Sequence, residues 1–329
     1  MHSIILGNFD GVHLGHQALL RAAANRSEVG RDANIGLDRV EVVTFDPPPI
    51  SVLDPTFKLE RLQSASDRVL ELHRHGATRV ELIRPTKELL GLSGERFITD
   101  LHQRLHFDRI VEGSDFRFGR GREGSMELLR ALGTRLGFEV VEVPSVLVAM
   151  ANGGMVEARS GKIRELLRAG NVGDARRILG RAFTLRAEVC KGDQRGRTIG
   201  WPTANLDANQ FARHQLLLPA DGVYAGFARV GQRIGEVEVG RHAIAAISVG
   251  SKPTFDGTGT TVETTLLDAD GRPLQLPLDA YGWTIEIELR ERLRSQVRFD
   301  TLEALLDQME LDRARIVEFA TSSRGVTPS

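Results

Sequence analysis

The spacing of apolar positions along this chain changes character part-way. Up to about residue 150, apolar strand-like runs alternate with segments of helical period. The strand-like runs are Ile4-Ile5-Leu6, Val40–Phe45, Arg79–Ile83, Arg109–Val111 and Glu139–Val143. Ser66–His75, Gly94–Leu105 and Glu127–Leu136 place apolar residues at helical spacing, such as Phe97, Ile98 and Leu101 on one face. This alternation predicts a parallel sheet covered on both faces. Such sheets bind ligands at the carboxyl ends of their strands. Gly7–His16, Asp46–Pro49 and Gly113–Gly119 each follow a predicted strand, so they are expected on one rim.

Residues 160–180 read as two short helices around Gly170-Asn171, ending at Gly180. Beyond them the period shortens. Phe183–Cys190, Val223–Val230, Ala243–Val249, Val262–Leu267 and Trp283–Leu289 are strand-like, several with strict alternation, and turns rich in Gly, Pro and Asp separate them. Strands spaced this closely predict a closed antiparallel barrel. The final element is an amphipathic helix. Asp300-Thr301-Leu302-Glu303 is read as its capping-box start, and Leu302, Leu305, Leu306, Met309 and Ile316 as its apolar stripe. The change of pattern puts a domain boundary near 175–182.

Composition narrows the classes. With 329 residues, 41% hydrophobic and 26% charged, the chain has material for two ordinary globular cores. A formal net charge of −1 argues against nucleic acid as a partner. The single cysteine, Cys190, permits no intramolecular disulfide. No apolar run spans a bilayer, and Met1-His2-Ser3-Ile4 lacks the basic start of a secretory signal. A cytoplasmic protein is the expectation.

The richest chemistry lies at Gly7-Asn8-Phe9-Asp10-Gly11-Val12-His13-Leu14-Gly15-His16, between a strand and the helix formers Gln17–Ala23. Free backbone N–H groups and the positive end of a helix dipole favour phosphate at such a turn. His13 and His16 can donate to phosphate oxygens, and Gly7, Gly11 and Gly15 allow close backbone approach; taken alone, a histidine pair there also reads as a surface pair. Gly113-Ser114-Asp115-Phe116-Arg117-Phe118-Gly119 sets a glycine at a strand end beside aromatics, which suits a planar ring. Residues 119–124 match G-x-G-x-x-G, but a flexible basic loop is the better reading. In the second half, Gly192-Asp193-Gln194-Arg195-Gly196-Arg197-Thr198-Ile199-Gly200-Trp201-Pro202-Thr203-Ala204-Asn205 is dense in glycine and polar side chains. Its N–H groups can cradle phosphates, with Arg195 or Arg197 to neutralise them. Thr203 and Asn205 supply hard oxygens on one strand face, which suits Mg²⁺ on nucleotide phosphates. There is no Walker A sequence. Glu263, on an apolar strand, is either outward-facing or a general base.

Taken together these runs resemble the bifunctional prokaryotic riboflavin kinase/FMN adenylyltransferases, the FAD synthetases. The likeness covers nearly the whole chain. It rests on Gly7–Gln17, Gly113–Gly119, Gly180-Arg181-Ala182-Phe183, Gly192–Leu206, Gly222-Val223-Tyr224-Ala225, Val249–Phe255, Val262–Leu267 and Arg298-Phe299. It implies a Rossmann-like nucleotidyltransferase domain over 1–178, a riboflavin-kinase β-barrel with its C-terminal helix over 179–322, and a tail at 323–329. It also implies ATP as co-substrate, riboflavin and FMN as partners, and Mg²⁺.

By that resemblance Glu263 accepts the riboflavin hydroxyl proton, and Thr203 and Asn205 hold metal and phosphates. His13 and His16 stabilise charge at the α-phosphate during adenylyl transfer. Gly7, Phe9, Asp10, Gly11, Gly15, Gly113, Asp115, Phe118, Gly119, Ser160 and Arg164 bind nucleotide in the first domain. Gly192, Gly196, Arg197, Gly200 and Pro202 do so in the second. The chain departs from the family at Pro47-Pro48-Pro49, where Pro-His-Pro is usual. Arg159-Ser160-Gly161-Lys162-Ile163-Arg164 replaces a serine-rich run, and Thr265 replaces a common histidine. The alternatives are a riboflavin kinase with a weak or inactive adenylyltransferase domain, and a non-catalytic flavin-binding regulator.

Overall fold

The computed structural model describes residues 1–24, 39–192, 196, 199–231, 242–254, 257–275 and 281–323. The chain divides into two compact units, Met1–Ser160 and Gly161–Ser329.

The first unit is built on a five-stranded sheet of β1 (His2–Gly7), β2 (Arg39–Phe45), β3 (Arg79–Ile83), β4 (Arg109–Gly113) and β5 (Glu139–Val143). The strand order is β3-β2-β1-β4-β5, and every pair is parallel. Alternation along β1 explains both covers. Ile4 and Leu6 enter one core with Ile98, Leu101 and Leu129, while Ile5 enters the other with Leu20, Val42 and Leu72. The helices are α1 (Leu14–Ala23), α2 (Ile50–Leu53), α3 (Ala65–Arg74), α4 (Lys87–Leu90), α5 (Gly94–Leu105) and α6 (Met126–Leu136). Local sequence starts several of them: Ser64, Ser93 and Ser125 accept the backbone N–H of Asp67, Arg96 and Leu128. A hairpin of β6 (Leu147–Ala149) and β7 (Met155–Glu157) completes the unit. It was not expected, since runs this short carry no period.

The second unit begins within α7 (Ser160–Arg168), followed by α8 (Val172–Leu179). The expected first domain ran to 178. The compact units divide at Ser160/Gly161, and α8 packs on the barrel strands β8 (Phe183–Cys190) and β13 (Thr284–Arg294). The other strands are β9 (Ala204–Leu206), β10 (Gly222–Val230), β11 (Ala243–Thr254) and β12 (Gly257–Leu267). They close into an antiparallel barrel in the order β10-β11-β12-β9-β8-β13. Strand β9, too short to show a period, joins β8 to β12 and so carries Asn205 into the wall. A short helix, α9 (Ala208–Arg213), follows it.

The last helix, α10 (Leu302–Ser323), lies along β10 and β11. Thr301 caps it by accepting the Ala304 N–H at 3.2 Å; a complete capping box would need an acid or amide at 304. Of its expected stripe Ile316 is buried, but Leu302 is exposed, and the buried face extends to Ala320.

Candidate active sites

Strand order reverses between β1 and β4, and there the carboxyl ends open a crevice. A cavity of about 270 Å³ sits in it, lined in part by Gly7, Phe9, His13, Gly15, His16, Gly113, Asp115 and Ser160. The turn into α1 is strained: Phe9 (φ 48°), Gly11 (φ 89°) and Val12 (φ 41°) are all left-handed. For a β-branched Val that backbone is costly, and burial of Phe9 and Val12 in the core holds it. The turn aims His13, the N-cap residue of α1, and His16 into the cavity, with their rings stacked at 3.6 Å between centroids. A Cβ on Gly15 would stand 3.1 Å from the His13 ring and 3.2 Å from the Ala158 carbonyl, so glycine makes room for the histidine itself.

His16 Nδ1 has no hydrogen-bond partner among the described residues. Burial, then the neighbouring His13 and Arg68, holds its pKa well below the ordinary 6.5. The ring is therefore neutral at neutral pH, with one N–H to donate.

Other expected residues act at a remove. The Asp10 carboxylate accepts the Leu62 N–H at 3.0 and 3.1 Å, and its carbonyl accepts the Ser160 hydroxyl at 2.7 Å. Asp10 and Gly11 shape the turn and do not line the cavity. Phe118 and Gly119, expected against the nucleotide, also stay outside it. Phe118 is drawn into the core, and a Cβ on Gly119 would meet Gly94 N at 2.4 Å. Phe116, stacked on Phe118, lines the cavity instead. Arg164 falls on α7 in the second unit. The exposed Arg159 lines the cavity and bridges Asp115 at 3.2 Å and Glu157 at 2.8 Å.

Sequence reasoning missed Arg68. It is 1% exposed and donates to the Asn8 carbonyl and the Phe45 carbonyl, each at 2.9 Å, and to Asp46 at 3.3 Å. One guanidinium thus ties the turn after β1 to the turn after β2. Asp46 also pairs with Arg61 at 2.5 Å. Arg68 shares the buried face of α3 with Glu71 and Leu72, so the apolar period gives no signal for it. Arg68→Met is expected to cost roughly 3–5 kcal/mol of first-unit stability, because Asp46 and the loop carbonyls lose their partner. It should also raise the His16 pKa, since a nearby positive charge is gone. Urea unfolding and a histidine NMR titration check the two effects.

The second unit holds a cavity of about 390 Å³ between barrel and α10. Glu263 on β12 stands directly opposite Asn205 on β9 and Ser248 on β11, so the three share one row and one face. Glu263, Asn205, Thr203 and Gly196 all line the cavity, which settles the orientation of Glu263: inward. The glycines have close-range reasons. A Cβ on Gly192 would meet the Asn205 side chain at 2.3 Å, and one on Gly196 would meet the Trp201 carbonyl at 2.1 Å. Gly200 is left-handed (φ 80°), and Pro202 is buried beside the cavity without lining it. Arg197 lies outside the described residues, as do Arg195 and Phe255.

Two further residues were not foreseen. Arg294 Nε and Nη2 clasp Asp312 of α10 at 2.7–3.0 Å, and Gln308 Nε2 donates to the same carboxylate at 3.0 Å. This fork fixes α10 over the cavity, where Met309 and Ile316 supply an apolar wall. Their separation in sequence hides such a pair.

A switch-point cavity with paired histidines and a barrel cavity with an inward carboxylate define a two-domain nucleotide-dependent transferase. Comparison with known proteins agrees. The FAD synthetase family matches residues 1–153, and the riboflavin kinase family matches residues 179–320. The bifunctional riboflavin kinase/FMN adenylyltransferase of Escherichia coli is 32% identical over 320 residues, covering 96% of this chain and 92% of its own. That of Listeria monocytogenes is 33% identical over 310 residues, covering 93% and 88%. A crystal structure described as a macrolide-efflux protein from Streptococcus pneumoniae superposes with a TM-score of 0.77 at 29% identity, covering 95% of this chain and 92% of that one. The chain belongs to the bifunctional riboflavin kinase/FMN adenylyltransferase family.

Proposed function

We propose that this chain phosphorylates riboflavin with ATP to give FMN, and adenylylates FMN with a second ATP to give FAD and pyrophosphate. The observation that carries the reading is the convergence of Glu263, Asn205 and Thr203 on one barrel cavity. In the barrel, the riboflavin 5′-hydroxyl oxygen attacks the γ-phosphorus, the bond to ADP breaks, and Glu263 takes the hydroxyl proton. The Met309 and Ile316 wall suits an apolar ring system.

Thr203 and Asn205 offer neutral oxygens, and among the described residues no cluster of His, Cys, Asp and Glu forms a metal site. Such a sparse donor set fits Mg²⁺, which retains waters and phosphate oxygens. When bound there, the ion would neutralise phosphate charge.

In the first unit, an FMN phosphate oxygen attacks the α-phosphorus and pyrophosphate leaves. The attacking group is already an anion, so no strong base is needed. Neutral His16 and its stacked partner His13 donate to the oxygens that gain charge. Asp10 and Ser160 hold the turn; Gly7 and Gly113 admit the phosphates. Among the described residues, no helix is long and apolar enough to cross a membrane. A cytoplasmic setting fits the lone thiol.

The full chain incubated with riboflavin, ATP and Mg²⁺ is expected to yield FAD, and with FMN and ATP to yield FAD and pyrophosphate. FMN accumulating without FAD would leave only the kinase. Flavin binding with no phosphorylated product would leave a regulator.

A further inference from the structure

β1 and β4 form the crevice, yet their ladder is short. Ser3 faces Arg109 and Ile4 faces Ile110, while β1 pairs with β2 along its whole length. Continuing the β1–β4 register would set Leu6 opposite Glu112. There the Glu112 side chain intervenes: its Oε1 accepts the Leu6 N–H at 2.6 Å. An unpaired N–H in a central strand is costly, so this carboxyl takes the place of a ladder carbonyl. A side chain reaches further than a backbone carbonyl, and the strands can therefore stand apart. Glu112 is 2% exposed and lines the histidine cavity.

We propose that Glu112 is a positioning residue that props the β1–β4 crevice open and so sets the gap between Gly7 and Gly113 in which the ATP phosphates lie. This rests on the reading of the cavity as the adenylyl-transfer site. The charged state follows from the surroundings. Burial pushes the Glu112 carboxyl well above the ordinary 4.5, Asp115 adds to the rise, and the Leu6 and Gly113 N–H groups oppose it. The charged and titratable groups lining the same cavity are His13 and His16 at the start of α1, Asp115 in the turn after β4, Glu157 at the end of β7 and Arg159 just beyond it. The acid form still accepts from Leu6 through its carbonyl oxygen. It presents a hydroxyl, not a negative charge, to an incoming polyanion. ATP affinity at this site should thus fall as pH rises through the raised Glu112 pKa.

The test is steady-state FAD formation from FMN and ATP by the full chain, across pH, with riboflavin phosphorylation followed in parallel. Glu112→Gln keeps both acceptor and donor. It should hold KM for ATP within about twofold to threefold of the wild-type low-pH value, and flat with pH. Glu112→Ala should raise KM for ATP about tenfold or more with kcat much less affected, leaving the kinase unchanged. Hydrogen exchange at the Leu6 amide should be faster in Glu112→Ala than in wild type, and unchanged in Glu112→Gln. An unaltered KM in Glu112→Ala, or protection at Leu6 without the carboxyl, would overturn the proposal. A wild-type protein that makes no FAD removes the reading of the cavity, while the Leu6 exchange still reports on the prop.

Discussion

Glu263→Gln is expected to slow FMN formation by orders of magnitude and to leave conversion of FMN to FAD intact. Glutamine keeps the shape and the hydrogen-bonding reach of the side chain but cannot take a proton. Removing a positioned base costs roughly 10²–10⁴-fold in rate. Glu263 lies on β12 opposite Asn205 and Ser248, both on strands held by the closed ladder, so the variant should keep the barrel. The first unit contains none of these strands. Product analysis by chromatography, starting separately from riboflavin and from FMN, reads both activities. Parallel loss of both in a folded variant would contradict separate sites.

His16→Asn is expected to do the converse. FAD formation from FMN should fall roughly 10²–10³-fold, the usual loss for one donor at a developing charge, while riboflavin phosphorylation continues. A pH effect accompanies it. The folded His16 pKa lies well below the ordinary 6.5. The unfolded chain therefore binds a proton first as pH falls. The stability held by neutral His16 is fully present above 6.5 and is lost as pH drops through the folded value. His16→Asn removes that loss, so first-unit stability should depend less on pH below 6.5. Denaturant midpoints measured across that range check the sign; an unchanged slope would show that His16 is not held neutral by its surroundings.

The departure at Pro47-Pro48-Pro49 bears on the same reaction. Pro48 gives its carbonyl to Ser51, and Pro49 opens α2, so these residues serve local structure. The positive charge nearby comes from Arg61 and Arg68, both clamped on Asp46. Arg68 is too buried to meet a substrate; it contributes through the two rim turns and through the His16 ring.

The period of apolar residues by itself determined both fold classes. Alternation in Ile4-Ile5-Leu6 requires two covered faces, and serines 64, 93 and 125 start their helices through contacts a few residues long. The motif Gly7–His16 and the pair Thr203/Asn205 were legible for the same reason: the chemistry sits in one short run. What tertiary structure decided are the contacts between distant segments. The inward orientation of Glu263 follows from barrel closure, which pairs it with Asn205 on β9, a strand only three residues long. Glu112 meets Leu6 and Arg294 meets Asp312 because sheet order and barrel closure bring them together. Phe118, by sequence a candidate for a base, was claimed by the core against Gly94 and Gly124. Local patterns encode elements because their forces act over one turn or one pleat, whereas partners across a fold are chosen by topology.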